Sequence, residues 1–386
     1  MSASLLKLQG ASDARFEPVR SAFLEGFAQG RDVGATVAVT LNGELVVDLW
    51  AGYRDRKRTL PWEKDTLCCM FSVTKAMTAI CVLQAVAEGS LELDTPVVEY
   101  WPEFAANEKQ NITPRHLLSH QAGLIGFHEP VSKDIYYDWA SVTSALAAER
   151  TWWIPGEQHG YHARTYGFLV GELLRRTTGF TVGQWFDRCI AQPLEIDFKV
   201  GLADHDLMRC ADMLPARIRA GEQKNWSSAM QTMMKSFSDV TTPTGAAFQN
   251  PSFGPGYMNS NQFRKAEIPA VNGHGTARGV ASFYAQLSSL LPAEILTEAT
   301  TTHSLGPDTV LISLTHFGLG LMLHHEESPI GIRDGSFGHA GAGGSMAFYD
   351  PEAQLGFCFV MNQMQEGVVT GGESAMRITR SIYECL

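Results

Sequence analysis

Several things are scarce or missing from this chain. No apolar run reaches the roughly 20 residues that a membrane-spanning helix needs. The best candidate, Ala76 to Ala87, is short and bounded by Lys75 and Glu88. Basic charge is in deficit, with 30 Lys and Arg against 41 Asp and Glu and a net charge of -11. That argues against the basic surface by which nucleic acid is bound. The opening residues, Met1 to Lys7, lack a basic start, a sustained apolar stretch and a small-residue cleavage site, so no export signal is expected and the expected compartment is the cytoplasm. The cysteines, Cys68, Cys69, Cys81, Cys189, Cys210, Cys358 and Cys385, are odd in number and irregularly spaced, with no C-x-x-C. They read as reduced thiols, and Cys68-Cys69 are too close for a zinc knuckle of their own. G-x-S-x-G is absent, which removes the usual α/β-hydrolase nucleophile elbow. His324-His325-Glu326-Glu327 has no second cluster to complete a metal site and reads as a solvated loop. Gly318-Leu319-Gly320 and Gly254-Pro255-Gly256 lack the rest of a dinucleotide fingerprint. Neither metal nor cofactor is expected.

What is present is an ordinary globular chain of 386 residues, 45% hydrophobic and 18% charged, long enough for two structural regions. Helical spacing of Val19, Phe23 and Phe27 predicts an early helix. Two β-rich runs, Thr36 to Leu41 and Glu44 to Leu49, flank Asn42-Gly43 and predict a hairpin. A second hairpin is predicted by Ser345 to Tyr349 and Leu355 to Met361 around Asp350-Pro351-Glu352, followed by a closing helix over 373–383. Between them lie helical patterns opened by Thr113-Pro114 and covering Trp139 to Arg150, Thr165 to Thr177 and Val182 to Gln192. Asn225 to Asn272 reads as a long irregular stretch, either a flap over a site or surface loops. The fold class expected is α+β: one antiparallel sheet built from both termini, flanked by helices, with a mostly helical insertion. The division expected is 1–95 plus 270–386 for the sheet region and 96–269 for the helical region, with the site between them.

One helix stands out. From Val73 to Ala87 nearly every residue is apolar, Gly89 follows as a stop, and the one charge is Lys75. A helix apolar on all sides is a buried one. An ammonium there must find partners or shift its pKa. Ser72-Val73-Thr74-Lys75 is an S-x-x-K, which on a helix sets the hydroxyl and the amine on one face. The pattern alone is weak, since chance supplies about one match at this Ser and Lys content; Ser4 to Lys7 is a second match, read as chance. At the helix start the Ser72 N–H points outward unpaired, as an oxyanion donor must.

Phe71-Ser72-Val73-Thr74-Lys75 resembles the nucleophile motif of the serine β-lactamase and penicillin-binding protein superfamily. Ile112 to Leu124 (ITPRHLLSHQAGL) is similar to a segment of its class C-like branch. Tyr161-His162-Ala163 with the following Tyr166-Gly167-Phe168-Leu169 resembles the second motif. Gly338-His339-Ala340-Gly341-Ala342-Gly343-Gly344 resembles the third. The match runs in order from about Phe16 to the C-terminus, and the pattern is most like family VIII carboxylesterases.

The resemblance implies that Ser72 is the nucleophile, that Lys75 assists its deprotonation and that Tyr161 is a phenolate-type general base. It also implies an oxyanion hole of the Ser72 and Ala342 N–H groups, with His339 and Gly341 lining the wall. Trp153, Tyr166 and Phe337 are candidate substrate contacts among the nearby aromatics, with core packing the alternative. Which of Lys75 and Tyr161 is the operative base stays open at this level, because they titrate as a pair. Two departures matter. Ala163 stands where β-lactamases carry Asn, and His339 where they carry Lys. A mostly neutral histidine anchors a carboxylate poorly, so neutral esters are favoured over β-lactams. The expected function is therefore a serine carboxylesterase acting on short-chain or aromatic esters through an acyl-enzyme. The alternatives are acyl transfer to another acceptor, weak β-lactamase or D-amino-acid peptidase activity, or a silent binding protein. The expected partner is a small-molecule ester, with no nucleic acid and no membrane; the oligomeric state is not legible.

Overall fold

The computed structural model describes residues 7–216, 228–365 and 372–386. Ser4, and with it the second S-x-x-K, lies outside them. Among the described residues the strands are β1 (Gln9–Ser12), β2 (Gly34–Leu41), β3 (Glu44–Gly52), β4 (Cys68–Cys69), β5 (Phe198–Lys199), β6 (His274–Gly275), β7 (Ser304–Pro307), β8 (Leu314–Phe317), β9 (Met322–Leu323), β10 (Phe337–Ala340), β11 (Met346–Asp350) and β12 (Leu355–Met361). The helices used below are α1 (Glu17–Ala28), α2 (Thr74–Ala87), α3 (Pro114–Leu118), α4 (Trp139–Ala148), α5 (Thr165–Thr178), α6 (Ser228–Phe237), α7 (Pro243–Gln249), α8 (Ala277–Ala285) and α9 (Glu373–Tyr383).

Nine strands form one antiparallel sheet in the order β1-β3-β2-β12-β11-β10-β9-β8-β7. Its first hairpin turns at Asn42 and Gly43, whose φ angles of 52° and 83° are what a two-residue type I′ turn demands at both positions. The C-terminal hairpin docks beside it, with Val39 opposite Phe357, so both ends of the chain meet in mid-sheet as expected. Strand alternation then sorts the two faces. Val37, Val39, Phe357 and Phe359 share a core with Phe16, Val19 and Phe23 at α1 and with Ala375, Ile378 and Ile382 of α9. Ala38, Cys358 and Val360 face the other way and share a core with Val280 and Ala281 of α8 and with α2. With helices on both faces, β2 and β12 are buried almost end to end, which is why they read as unbroken apolar runs.

The second core is centred on α2, whose buried residues run from Thr74 to Ala85 with few gaps and which packs against α5. Gly89, at φ 74°, ends it in the left-handed conformation that glycine adopts freely. Two expectations need correction. The stretch 225–272 is not irregular throughout: it contains α6, α7 and a short helix Asn261–Lys265, with 225–227 outside the described residues. The pattern over Val182 to Gln192 is a helix Val182–Phe186 that widens into a π turn, Asp187–Ala191, before Gln192–Leu194. No helix among the described residues is long and apolar enough to cross a membrane, and all seven cysteines are free.

Candidate active site

The site begins where β4 hands over to α2. Phe71 takes φ 47°, a sparsely populated conformation for a bulky residue and a form of strain often found at functional positions. This sharp bend opens a 3-10 turn, Phe71–Val73, that leads into α2 and leaves the Ser72 side chain half-buried where the closed helix begins. One turn later Lys75 has no exposed surface. Its Nζ lies 3.3 Å from Ser72 Oγ, 2.8 Å from the Ala163 carbonyl oxygen and 3.0 Å from that of Ala270. The same nitrogen sits 4.6 Å from the centre of the Tyr161 ring. Ser72 also acts on the Tyr161 phenol, lowering its pKa against the effect of burial. The three side chains that the motifs single out are therefore brought together.

Burial and the lack of a nearby anion set the pKa of Lys75. No carboxylate lies within ion-pair distance among the described residues. Burial alone pushes its pKa well below the ordinary lysine value, because an ammonium loses its hydration with no anion to replace it. A neutral amine has two N–H donors and one lone pair. Its three partners are two carbonyl oxygens, which accept, and the Ser72 hydroxyl, which accepts from an ammonium or donates to the lone pair of a neutral amine. Burial pushes the Tyr161 phenol the opposite way, well above its usual value, with Ser72 opposing and the Asp308 charge adding a smaller upward push. Both directions favour neutral amine with neutral phenol over ammonium with phenolate.

His339, on β10, is buried and its ring centre lies 6.0 Å from that of Tyr161. Its pKa falls to about 3, first through desolvation and then through repulsion from Lys75, so the ring is neutral at pH 7. Nδ1 donates to the Ala340 carbonyl at 2.7 Å, and Nε2 has no partner. A neutral ring at this place offers no charge to hold a carboxylate. Beyond it the chain folds back tightly. The Gly341 N–H donates to Ser345 O at 2.8 Å, and Gly343 and Gly344 take φ 83° and 115°. A Cβ on Gly341 would sit 2.2 Å from Ser345 Oγ and 2.4 Å from the Met70 carbonyl oxygen. Gly341 thus serves close packing against the residues that lead into Ser72. We expect Gly341→Ala to cost about 1–3 kcal/mol through overpacking, measured as a drop in thermal midpoint. Neither the Ser72 nor the Ala342 N–H finds an acceptor among the described residues, so both are free to donate to an oxyanion.

The aromatic candidates divide. Trp153 donates from Nε1 to Gln121 O at 3.2 Å and packs over Gly160, beside Tyr161; it supports the Tyr161 segment. Tyr166 has no exposed surface, and Phe337 packs on Tyr349 with its ring buried. Both belong to the buried core around α2.

Two histidines inside the motifs carry no role that the sequence assigns. His120, at φ 63°, receives the His162 N–H on Nδ1 at 3.1 Å and the Gly160 N–H on its carbonyl at 3.1 Å. His162 in turn donates from Nδ1 to Gly160 O at 2.8 Å and accepts the Leu124 N–H on Nε2 at 3.0 Å. Together they fasten the backbone on either side of Tyr161. Their one sequence signal is their place inside two motifs; spacing does not show that they meet. No group of three or more His, Cys, Asp or Glu side chains is arranged to hold a metal ion among the described residues.

Comparison with known proteins adds four findings. A family model described as Beta-lactamase matches residues 19–378. The chain is 34% identical over 379 residues to a Mycobacterium tuberculosis (strain ATCC 25618 / H37Rv) protein named Esterase/beta-lactamase LipL, covering 93% of this chain and 84% of that one. Among solved structures, it superposes on a family VIII carboxylesterase with TM-score 0.88 and 34% identity, covering 98% of this chain and 100% of the other. It also superposes on a penicillin-binding protein homolog from Caulobacter crescentus with TM-score 0.89 and 35% identity, again covering 98% and 100%.

Proposed function

The chain belongs to the Beta-lactamase family and is a serine hydrolase of that fold; from that premise we propose that it hydrolyses neutral carboxylic esters, short-chain or aromatic, through an acyl-enzyme on Ser72. The observation that carries this reading is the set of partners around Lys75: two carbonyl oxygens, one serine hydroxyl and no anion.

In this reading the neutral Lys75 amine takes the Ser72 proton as Oγ attacks the ester carbonyl, which turns a weak nucleophile into a strong one. The developing oxyanion accepts hydrogen bonds from the Ser72 and Ala342 N–H groups. Tyr161, beside Ser72 and Lys75, passes its proton to the departing alcohol and recovers one from the Lys75 ammonium; in the second step water attacks the acyl carbonyl, its proton passes by Tyr161 to Lys75, and the ammonium returns it to Ser72 Oγ as the acyl group leaves. The base of the first step is thus Lys75, with Tyr161 as the relay, and the phenolate implied by the motif is not needed. The substrate preference follows from two places. Ala163 has no side-chain amide to hold an amide group, and His339 is neutral, with burial keeping it so. A substrate that must be anchored by its carboxylate gains nothing here, whereas a plain ester loses nothing. The names of the relatives, an esterase/β-lactamase and a family VIII carboxylesterase, support the same class.

The test is a pre-steady-state burst. Mixing with a chromogenic short-chain ester is expected to release about one equivalent of alcohol per enzyme before steady turnover. Mass spectrometry of the quenched enzyme is expected to find the acyl group on the peptide that contains Ser72. An adduct on any other residue, or rapid turnover with no adduct trapped at low pH, would end the proposal.

A further inference from the structure

Tyr161 carries its phenol on a backbone held from one side by His120 and His162. The opposite side is held by a residue that no motif contains. Asp308 follows β7 and is only 2% exposed. Its Oδ1 accepts the Tyr161 N–H at 3.1 Å, the Val310 N–H at 2.8 Å and the Leu311 N–H at 2.8 Å. Its Oδ2 accepts the Thr315 hydroxyl at 3.2 Å. Thr315 Oγ1 also lies 2.9 Å from His159 Nε2; since the hydroxyl proton goes to Asp308, the ring is the donor in that pair. The staple is reciprocal, because Thr309 donates to His159 O from its N–H at 3.2 Å and from its Oγ1 at 3.0 Å.

A buried carboxylate ordinarily has a cation beside it. Asp308 has none at ion-pair distance among the described residues. It is held by donors alone, and one of the three amides on Oδ1 belongs to Tyr161. A side chain kept in the interior at this cost to desolvation, with its bonds converging on the mount of the phenol, fixes geometry that the fold would otherwise leave to a loop. Tyr161 and Asp308 are far apart in sequence, so this bond ties the loop before α5 to the β7–β8 turn. Thr315 lies on β8, so the turn in its part is anchored to the sheet.

We propose that Asp308 is the positioning residue of Tyr161: by holding the amide on which the phenol is mounted, it keeps the phenolic oxygen against Ser72, and it affects turnover only through that phenol. The proposal rests on the reading of Tyr161 as the group that moves protons at Ser72. An error of an ångström in such a group is enough to cost about 10²-fold in rate.

The experiment is a double-mutant cycle on ester turnover. Asp308→Ala, which removes all four bonds, is expected to lower kcat about 10–100-fold with KM unchanged within about twofold. Asp308→Asn can still present one oxygen to the three amides and its NH2 to Thr315 Oγ1, so it is expected to recover most of the loss. In the Tyr161→Phe background Asp308→Ala is expected to cost little more. If it costs as much there as in the wild type, the aspartate acts on the fold at large and the proposal is wrong, while the role of Tyr161 stands. If Tyr161→Phe alone keeps full turnover, the reading of the phenol fails first and the positioning role falls with it. Should Asp308→Ala not be recovered folded, Thr315→Val carries the same cycle. It removes the Oδ2 donor and leaves the amides in place, with a smaller expected loss of kcat that must likewise vanish in the Tyr161→Phe background.

Discussion

Ser72→Ala is expected to lower kcat for ester hydrolysis by about 10⁵–10⁶-fold, to abolish the burst and to leave the fold as it stands. The size follows from what is lost and what remains. The substitution removes the oxygen that Lys75 Nζ approaches at 3.3 Å, and with it any covalent intermediate. It keeps the backbone N–H at residue 72, so some stabilisation of an oxyanion survives and the residual rate stays above that of water. No neighbouring nucleophile can stand in. Cys68 and Cys69 lie just upstream, but burial raises both thiols, Cys69 to about 12, and a thiol that stays protonated is inert. The stability change is expected to be under about 1 kcal/mol, the net worth of a single hydrogen bond, because Lys75 keeps both carbonyl partners. Steady-state rates and a thermal melt read both halves. Retention of more than about a hundredth of the wild-type rate would mean that Ser72 is not the nucleophile, since nucleophile removal costs far more than that.

Much of the fold and of the site is legible in the sequence, and the reasons are physical. Asn42-Gly43 and Asp350-Pro351 set their hairpins because the turn residues carry local conformational demands. The helix after Ser72 is legible because a run apolar on every side, with one lysine in it, is stable only in the interior. The convergence of Ser72, Lys75 and Tyr161 is legible only through motifs, since nothing in spacing says that residues 72 and 161 meet. What the sequence does not show depends on contacts between distant segments. α7 is short and contains Gly245; its helix start is capped by Thr242, and its middle is pressed against the loop at Gly126, where a Cβ would lie 2.7 Å from Ala246 O. Tertiary packing, not propensity, makes that helix. For α6 a signal is present, because Met230, Met233, Met234 and Phe237 have helical spacing. The Gly- and Pro-rich residues downstream mask it and make the whole stretch read as irregular. The core packing of Tyr166 and Phe337 is hidden for a different reason. An aromatic near a catalytic motif in sequence lies on the element that carries the motif, and the far face of that element is core. Asp308 has no signal beyond a turn-like Pro-Asp, because its meaning lies in an amide it reaches across the fold.

Lys75→Met is expected to lower kcat/KM by about 10³-fold or more, within the range for a lost general base, and to change stability in a way that depends on pH with a definite sign. Methionine matches the length of the lysine stem and fills the same buried volume without charge. The activity loss follows because nothing else within reach of Ser72 can take its proton: the Tyr161 phenol is held protonated by burial, and the neutral His339 ring has its one free nitrogen buried with no hydrogen-bond partner. The pH dependence comes from the lysine proton. Burial lowers the Lys75 pKa well below its ordinary value, which in the unfolded chain is ~10.4. Between the lowered value and that one, the unfolded chain binds a proton that the folded protein does not. Stability of the wild type therefore falls as pH is lowered through this window, and levels off once the folded-state pKa is passed. The variant carries no such group. Its two orphaned carbonyls, Ala163 O and Ala270 O, cost about 1–3 kcal/mol each, and that cost does not vary with pH. The stability of Lys75→Met relative to wild type is thus expected to be lowest above pH ~10.4 and to improve steadily as pH falls. Denaturant melts of both proteins across that range measure the difference directly. A difference that stays flat with pH would mean that Lys75 keeps its proton in the fold, stabilised over the Tyr161 ring as an ammonium, and the neutral-amine base would have to be abandoned in favour of the phenolate.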